Sequence, residues 1–365
     1  MSKFRIGLVG CGNMMMGHAK ALHAMEGVEV TAFCDILPEQ TELFAKKVNP
    51  NAYQTDNWET MLPYVDGIVC ALPHELHFEC GVFFARNHKQ ILMEKPLCNS
   101  EDECVRLCEI CDEEGVILMC GYPVRHYPTI QKAKELLDSG AFGKVIMFNI
   151  WTEQLTGPNL PEAGWVRSSR IGGGQLFSHG CHYIDILLWF LGEPISGSHI
   201  GTRNGTPWMM KEGTSVVTMK FKNGAIGYHS ATWGARGTKL YYSFQIHTEK
   251  GMLDVDIKQD RITLYDGNRE HVPGEEGASQ GVRIIWEAEK EGIVRRNTID
   301  ELQYFIDACT KGTPLLCDGW SALQSLRVIW KLYDAEENRT IADLRGLGLD
   351  NVKEYTYNKT PGVQI

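Results

Sequence analysis

The first 122 residues alternate short, unbroken apolar runs with segments of helical periodicity. The apolar runs are FRIGLVG, VEVTAFCD, DGIVCALP, KQILMEKP and GVILMCGY, a pattern typical of strands buried on both faces. The segments between them predict helices at about 13–25, 38–48, 77–86 and 100–114. This alternation predicts an α/β domain over residues 1–122, with a doubly wound parallel sheet covered by helices.

From about residue 123 the chain changes to longer segments in which apolar and polar residues alternate. These segments are KVIMFNIWTEQ, TSVVTMKFKNG, AIGYHSATWG, KLYYSFQIHTE, GMLDVDI and RITLYDG. Asn223-Gly224, between two of them, predicts a tight hairpin. Helical patterns precede this block (SHGCHYIDILLWFLG) and follow it (IDELQYFIDACTKG, WSALQSLRVIWKLYDAEE). We expect an α+β domain over 123–365 with a large, mainly antiparallel open sheet, whose last helices are candidates to pack back on the first domain.

Composition and charge argue against several classes of protein. The chain has 365 residues and a net charge of −10, which disfavours a surface for nucleic acid or anionic membranes. No apolar stretch approaches the ~20 residues of a membrane helix. The N-terminal segment is typical of a strand that runs into glycines, not of a signal peptide. We therefore expect a cytoplasmic protein that binds neither nucleic acid nor a membrane.

Most of the twelve cysteines lie inside apolar runs, as free thiols in a hydrophobic core do. Cys104, Cys108 and Cys111 have a C-x3-C-x2-C spacing that some iron–sulfur enzymes use. The same three residues fit one buried face of a helix, which Ser100 and Glu103 would begin with a capping box. The second interpretation is favoured, and we predict no metal site.

A glycine-containing turn after the first strand predicts a dinucleotide site of the Rossmann type. The run Gly10-Cys11-Gly12-Asn13-Met14-Met15 opens the first helix, whose N-terminus favours a pyrophosphate. Asp35 ends the second strand, 23 residues after Gly12, where an acidic side chain binds a ribose hydroxyl and repels a 2′-phosphate. The predicted cofactor is therefore NAD. The third fingerprint position is Met15 instead of Gly or Ala, a departure from the usual pattern.

These residues and several later blocks resemble the Gfo/Idh/MocA family of oxidoreductases. The blocks are GCGNMMMGHAKAL, CD at 34–35, ALPHELH at 71–77, EKPL at 94–97, GYPVRHYP at 121–128 and GGGQLFSHGCHYIDILLWFLGEP at 172–194. The resemblance implies NAD-dependent oxidation of a secondary ring hydroxyl in a sugar, cyclitol or glycoside, with position 3 of a glycoside as a narrower version. It also implies a homo-oligomer formed through the open sheet of the second domain.

The resemblance assigns catalysis to two residues. It makes His182 the base that takes the hydroxyl proton, and Lys95 the group that assists it; a cis Lys95–Pro96 peptide is also expected. Glu94-Lys95-Pro96 ends a buried strand, and ligands bind at such carboxyl ends in open α/β sheets. The spacing of His182 and Asp185 puts them on one helix face, as a structural pair, a fragment of a metal site or a catalytic pair.

Further site residues follow from the same resemblance. Besides the glycine turn and Asp35, the cofactor would contact Leu72, Pro73, His77, Glu94 and Lys95. The substrate would contact Tyr122, Arg125, Trp165, Ser178, His179 and Asp185. Simple packing is the alternative interpretation for Leu72, Pro73, His77, Tyr122, Arg125 and Trp165. Trp151, Trp208 and Trp233 could stack on a sugar ring, or else fill the sheet core or an oligomer interface.

One position departs from the family pattern and leaves other functions open. Several sugar and inositol dehydrogenases have an Asp four residues before the catalytic His, where this chain has Ser178. The usual Asp–Lys–His proton relay is therefore in doubt. Two alternatives remain: a glycoside-cleaving enzyme that retains NAD and uses transient oxidation and elimination, and a dinucleotide sensor without catalysis.

Overall fold

The computed structural model describes residues 3–156, 174–266, 281–288 and 298–352. Its first part contains strands β1 (Phe4–Val9), β2 (Val28–Cys34), β3 (Tyr53–Thr55), β4 (Gly67–Cys70), β5 (Gln90–Glu94) and β6 (Leu118–Gly121). Within the described ranges these six strands form one parallel sheet in the order β3-β2-β1-β4-β5-β6. The order reverses between β1 and β4, so their carboxyl ends flank the crevice where doubly wound sheets bind ligands. The predicted doubly wound sheet is confirmed.

Four helices connect these strands: α1 (Asn13–Ala24), α2 (Pro38–Lys47), α3 (His77–Arg86) and α4 (Glu101–Glu114). Each agrees with the helix predicted from periodicity to within one or two residues. Ser100 and Glu103 form the expected capping box at the start of α4. Cys104, Cys108 and Cys111 lie on the buried face of this helix, in the hydrophobic core.

The second part is built on a larger sheet. Its elements are α5 (Pro128–Asp138), β7 (Val145–Glu153), α6 (Cys181–Leu191), β8 (Pro194–Thr202), β9 (Thr214–Phe221), β10 (Ile226–Thr232), β11 (Tyr242–Thr248), β12 (Gly251–Asp256), β13 (Arg261–Asp266), β14 (Gly281–Glu287), α7 (Ile299–Lys311), α8 (Gly319–Glu337) and β15 (Ala342–Asp343). In the described residues the sheet has nine strands, in the order β14-β13-β12-β11-β7-β10-β9-β8-β15. Only β7 and β10 pair in parallel there, so the predicted mainly antiparallel sheet is confirmed.

Several elements of this part are not predicted by the pattern. Helix α5 buries only Thr129, Ile130 and Ala133, so its apolar stripe is narrow. Strand β8 contains Gly197 and Gly201 and has a weak apolar alternation. Strand β14 is mostly exposed. By contrast, the hairpin at Asn223-Gly224 is present, with Gly224 at φ 92° between β9 and β10.

The last two helices pack against the first part of the chain. Leu302, Phe305 and Ile306 of α7 share a core with residues of β1 and α1, including Met15. Helix α8 contacts α4 through a 2.7 Å ion pair between Arg327 Nε and Glu101 Oε1. The first part of the chain is therefore covered by α7 at α1 and by α8 at α4. Among the described residues, no helix has the length and apolar character needed to span a membrane.

Candidate active site

The turn after β1 has the geometry of a phosphate-binding turn. Gly10 has φ 86°, and a Cβ there would lie 2.5 Å from the carbonyl oxygen of Ala71, so only glycine fits. Gly12 is the N-cap of α1, and it is exposed together with Asn13 and Met14. The N–H groups of this first turn have no acceptor within the helix, and the turn has no acidic side chain to compete with an anion. A pyrophosphate fits this helix end.

Asp35 lies beside this turn at the end of β2. Its Oδ2 accepts a hydrogen bond from the backbone N–H of Cys11 at 2.7 Å, and its Oδ1 accepts one from Leu37 at 2.9 Å. The half-buried carboxylate is thus fixed in place next to the turn, and each oxygen keeps a second lone pair for a ribose hydroxyl. Met15, on α1, is fully buried. Its flexible side chain fills the space between α1 and the sheet.

Lys95 follows β5 and connects the two parts of the chain. Its Nζ donates a hydrogen bond to the backbone carbonyl of Ser178 at 2.9 Å. The Lys95–Pro96 peptide is cis, as the family resemblance implied. The expected Asp side chain is absent at position 178, but its backbone carbonyl still contacts the Lys95 ammonium.

Glu94 has a partner that the sequence did not reveal. His18 Nε2 lies 2.8 Å from Glu94 Oε1, and the His18 side chain is fully buried. Burial acts to raise the pKa of Glu94, but the hydrogen bond to His18 and the nearby positive groups outweigh it and lower the pKa to about 2. The only sign in the sequence is a histidine on the buried face of a predicted helix.

His182 lies on α6, directly after a π-helical turn at Leu176–Gly180. Glu212 holds the start of this turn: its Oε1 accepts hydrogen bonds from the N–H of Leu176 at 3.1 Å and from the hydroxyl of Tyr333 at 2.7 Å. A Cβ on Gly174 would lie 2.0 Å from Glu212 Oε2. The third glycine of the GGG motif is therefore required by the buried carboxylate that fixes the turn.

The ring of His182 is packed among other aromatic side chains. Its centroid lies 5.3 Å from that of Tyr122 and 5.8 Å from that of His179, both edge to face. Tyr122 is fully buried and donates its hydroxyl hydrogen bond to Ser325 Oγ at 2.8 Å, since that serine donates to the Ala322 carbonyl. Tyr122 thus packs edge to face against the His182 ring and has no exposed surface for substrate.

His179 faces the second sheet through a chain of uncharged groups. Gln175 Nε2 lies 3.3 Å from His179 Nδ1, and Tyr242 Oη lies 3.2 Å from His179 Nε2. Tyr242 in turn donates to Gln154 Oε1 at 2.9 Å. This chain is satisfied when the amide donates to Nδ1 and His179 is neutral with its proton on Nε2. Trp233 is buried next to it, 6.0 Å from the His179 ring.

Arg125 and Asp185 form a buried, two-pronged ion pair. Arg125 Nε and Nη2 donate to the two oxygens of Asp185, both at 2.6 Å, and Nη1 donates to the Leu316 carbonyl. Burial acts to lower the pKa of Arg125, and the Asp185 carboxylate more than offsets this and raises it. The structure thus places both residues in a structural pair and not at a surface that faces substrate. It also pairs Asp185 with Arg125 instead of His182.

The predicted cofactor residues around β4 differ in exposure. His77 is fully buried, and its ring nitrogens lie 3.0 Å from the carbonyl oxygens of Pro96 and Leu72. It therefore holds two loops together and offers no surface to a cofactor. Leu72 and Pro73 are accessible at the crevice. Trp165, together with Gly172 and Gly173, lies outside the described residues.

The structure thus brings Glu94, Lys95, Ser178, His179 and His182 together at the carboxyl edge of the first sheet. Residues 4–122 match the family described as "Oxidoreductase family, NAD-binding Rossmann fold", and residues 130–254 match the Gfo/Idh/MocA C-terminal domain. The chain belongs to the Gfo/Idh/MocA family of oxidoreductases. The predicted NAD-binding Rossmann domain is confirmed by this membership.

Individual members of the Gfo/Idh/MocA family share about a quarter or less of their aligned residues with this chain. The 2,7-anhydro-N-acetylneuraminate hydratase of Escherichia coli (strain K12) is 25% identical over 268 residues, which are 72% of this chain and 70% of that protein. Levoglucosan dehydrogenase of Pseudarthrobacter phenanthrenivorans is 25% identical over 286 residues, 69% of this chain and 73% of that protein. A structure of levoglucosan dehydrogenase with NADH has a TM-score of 0.83 at 21% identity, covering 94% of this chain and 99% of that one.

Proposed function

We propose that the protein oxidises a secondary ring hydroxyl of a sugar, cyclitol or glycoside by hydride transfer to NAD. The observation that carries the proposal is the meeting of Lys95 and His182 at the carboxyl edge of the first sheet, next to the turn that fits a pyrophosphate. Lys95 Nζ donates a hydrogen bond to the Ser178 carbonyl. The side chains of Lys95 and His182 both lie near enough to Glu94 to lower its pKa. A base and a cation at one edge suit the removal of a hydroxyl proton.

His182 and Lys95 have separate roles in this reaction. The imidazole of His182 takes the hydroxyl proton, because the unperturbed pKa of histidine lies near neutral pH. The ammonium of Lys95 donates a hydrogen bond to the same oxygen and stabilises the negative charge that develops there. NAD, when bound, would supply the acceptor for the hydride of the carbinol carbon. Gly10, the first turn of α1 and Asp35 would hold the cofactor.

The wall formed by His179, Tyr242 and Gln154 favours a neutral polyhydroxylated substrate. Tyr242 and Gln154 are uncharged, only partly buried and hydrogen-bonded to each other, and Tyr242 Oη also lies 3.2 Å from His179 Nε2. Such groups bind hydroxyls and leave no charge unpaired when the substrate is neutral. This wall is compatible with a compact ring such as the levoglucosan named for one relative.

A second candidate is a reaction in which oxidation is transient and NAD is regenerated within one turnover. Two relatives are named as hydratases of an anhydro sugar acid, which favours this possibility. In such a reaction the hydride removed from the ring returns to it after an elimination or addition step. NADH would then not accumulate, although sugar product would form.

The decisive experiment measures NADH formation and sugar products in parallel, with inositols, free sugars, anhydro sugars and aryl glycosides. Lys95→Ala and His182→Ala should each lower turnover by ~10²–10⁴ while NAD still binds. Lys20→Ala and His23→Ala, at exposed positions of α1, are matched controls. Wild-type turnover in either active-site variant would refute the assignment. Product without NADH would instead establish the second candidate.

We also propose that two copies associate through the open face of the nine-stranded sheet. The pairing of β7 with β10 puts Met147, Trp151, Ile226 and Tyr228 on the face opposite to α6. Trp151 therefore lies away from the substrate wall, and Ile226 is 43% exposed. Light scattering should give at least twice the 41.1 kDa chain mass, and Ile226→Glu should reduce it. A monomeric wild type would refute the proposal.

A further inference from the structure

A buried contact links the helix that begins at the phosphate-binding turn to Glu94, the last residue of β5, which precedes Lys95. His18 Nε2 lies 2.8 Å from Glu94 Oε1, with the His18 side chain fully buried and that of Glu94 13% exposed. The other oxygen of Glu94 accepts the backbone N–H of Lys95 at 3.2 Å. One carboxylate thus contacts α1 on one side and the residue that we propose as catalytic on the other.

Because His18 lies on α1, the contact connects Glu94 to the cofactor-binding turn. His18 follows Asn13 by five residues, or ~7.5 Å of helix rise, so one rigid helix joins the exposed first turn to Glu94. Gly121 lies against the same carboxylate, and a Cβ there would lie 3.3 Å from Glu94 Oε2. Glu94 is therefore confined from the strand side as well as held by the histidine.

Titratable groups from α1, α6, α7 and β6 lie near Glu94. The hydrogen bond from His18 of α1 and the positive charge of Lys95 favour the ionised carboxylate against the opposing effect of burial, and His182 of α6 does so when its ring is protonated. From α7, Glu301 is fully buried, and neither of its oxygens has a hydrogen-bond partner within the described part of the chain. Burial, with the nearby Glu94 carboxylate, raises the pKa of Glu301 well above its usual range, which favours the neutral form of Glu301 beside the charge of Glu94. From β6, the buried Cys120 thiol is also neutral, because burial raises its pKa.

We propose that His18 is a positioning residue: it fixes Glu94 as an ionised carboxylate and thereby holds the Lys95 backbone in place relative to the cofactor-binding turn. This proposal rests on the proposed role of Lys95. It predicts that loss of the His18 contact impairs Lys95 without removing any group that touches substrate.

The kinetic test uses His18→Leu, His18→Gln and Glu94→Gln, with His23→Leu on the exposed side of α1 as the control. His18→Leu should lower kcat by roughly 10- to 100-fold, since a hydrogen bond to a charged group is lost. His18→Gln, which retains a donor, should recover part of this loss. Wild-type kcat in folded His18→Leu would overturn the proposal.

The double variant His18→Gln/Glu94→Gln keeps the test decisive if His18→Leu does not fold. The two residues act on Lys95 as one unit, so the double variant should lose little more activity than Glu94→Gln alone. Losses in kcat that multiply, as for independent residues, would overturn the proposal.

A spectroscopic readout separates this proposal from the proposed function, because it needs no turnover. Acid titration followed by infrared spectroscopy detects the protonation of Glu94, whose carboxyl band is identified by its loss in Glu94→Gln. In His18→Leu this band should appear at a pH higher than in the wild type by ~1 unit or more, because a hydrogen bond to the carboxylate is lost. If no carbohydrate is oxidised but the band shifts, the His18–Glu94 link stands and the function fails. An unshifted band would overturn the link itself.

Discussion

The ion pair between Arg125 and Asp185 allows a quantitative prediction about stability. Both side chains are nearly inaccessible to solvent, at 4% and 0%, and the guanidinium is bound at both prongs at 2.6 Å. Asp185→Asn keeps the shape of the side chain and removes its charge. Removing one partner of a buried pair leaves the other charge without compensation, which costs about 3–5 kcal/mol. That is a large share of the ~5–15 kcal/mol by which most proteins are stable.

The double variant Arg125→Met/Asp185→Leu removes both charges and should be less damaging than Asp185→Asn. Apolar residues of similar volume often replace a buried pair without loss. The carbonyl of Leu316 would still lose its donor, at a cost of about 1–3 kcal/mol. We therefore expect the double variant to lie between the wild type and Asp185→Asn.

Urea unfolding followed by tryptophan fluorescence measures these differences, since the chain has nine Trp residues. Asp343→Asn, in an ion pair whose side chains are 73% and 60% exposed, is the control and should change the midpoint little. If Asp185→Asn unfolds at the wild-type urea concentration, the pair does not stabilise the fold as argued. If the double variant is less stable than Asp185→Asn, the cost is one of packing and not of charge.

Three further predictions concern the cofactor turn, the glycine motif and pH. Asp35→Ser should weaken NAD binding and narrow the preference over NADP, measured as Kd for both cofactors; an unchanged ratio would contradict its role. Gly174→Ala should lower the urea midpoint because its methyl would meet Glu212, whereas Gly17→Ala, which has open space, should not. Burial lowers the pKa of His126 to about 3, so the unfolded chain binds a proton between pH 6.5 and 3 that the folded chain does not. His126→Phe should therefore abolish a loss of about 2 kcal/mol of unfolding free energy between pH 7 and pH 5; an unchanged pH dependence would contradict this.

Periodicity was enough to predict the first sheet, because buried parallel strands and amphipathic helices leave repeated patterns in the chain. The capping box at Ser100 and the hairpin at Asn223 are local signals of the same kind. Helix α5 and strand β8 escaped prediction because their apolar positions are few or interrupted by glycine. The π-helical turn before α6 has no pattern of its own, since Glu212 from a distant loop holds it.

Within the candidate site, the sequence indicated residues but not their partners. Lys95 and His182 came from motif resemblance, and their roles stay predictions. The partner of Lys95 is a backbone carbonyl, which every residue type has, so the sequence cannot indicate it. Arg125 and Asp185 are 60 positions apart, and only the folded chain shows that they form an ion pair with each other. His18 and Glu94 are 76 positions apart, and only the folded chain brings them to 2.8 Å from each other.

The packing of α7 on α1 and β1 has a consequence for synthesis of the chain on the ribosome. Leu302, Phe305 and Ile306 complete the core around Met15, so the nucleotide-binding domain stays incomplete until α7 has been made. Between the end of β6 at Gly121 and the end of α7 at Lys311 the ribosome must add 190 residues. At ~5–20 residues per second this takes roughly 10–40 s, during which an apolar surface of the nascent chain is open to chaperones. A fragment that ends at residue 122 should therefore aggregate, although it contains every strand of its sheet.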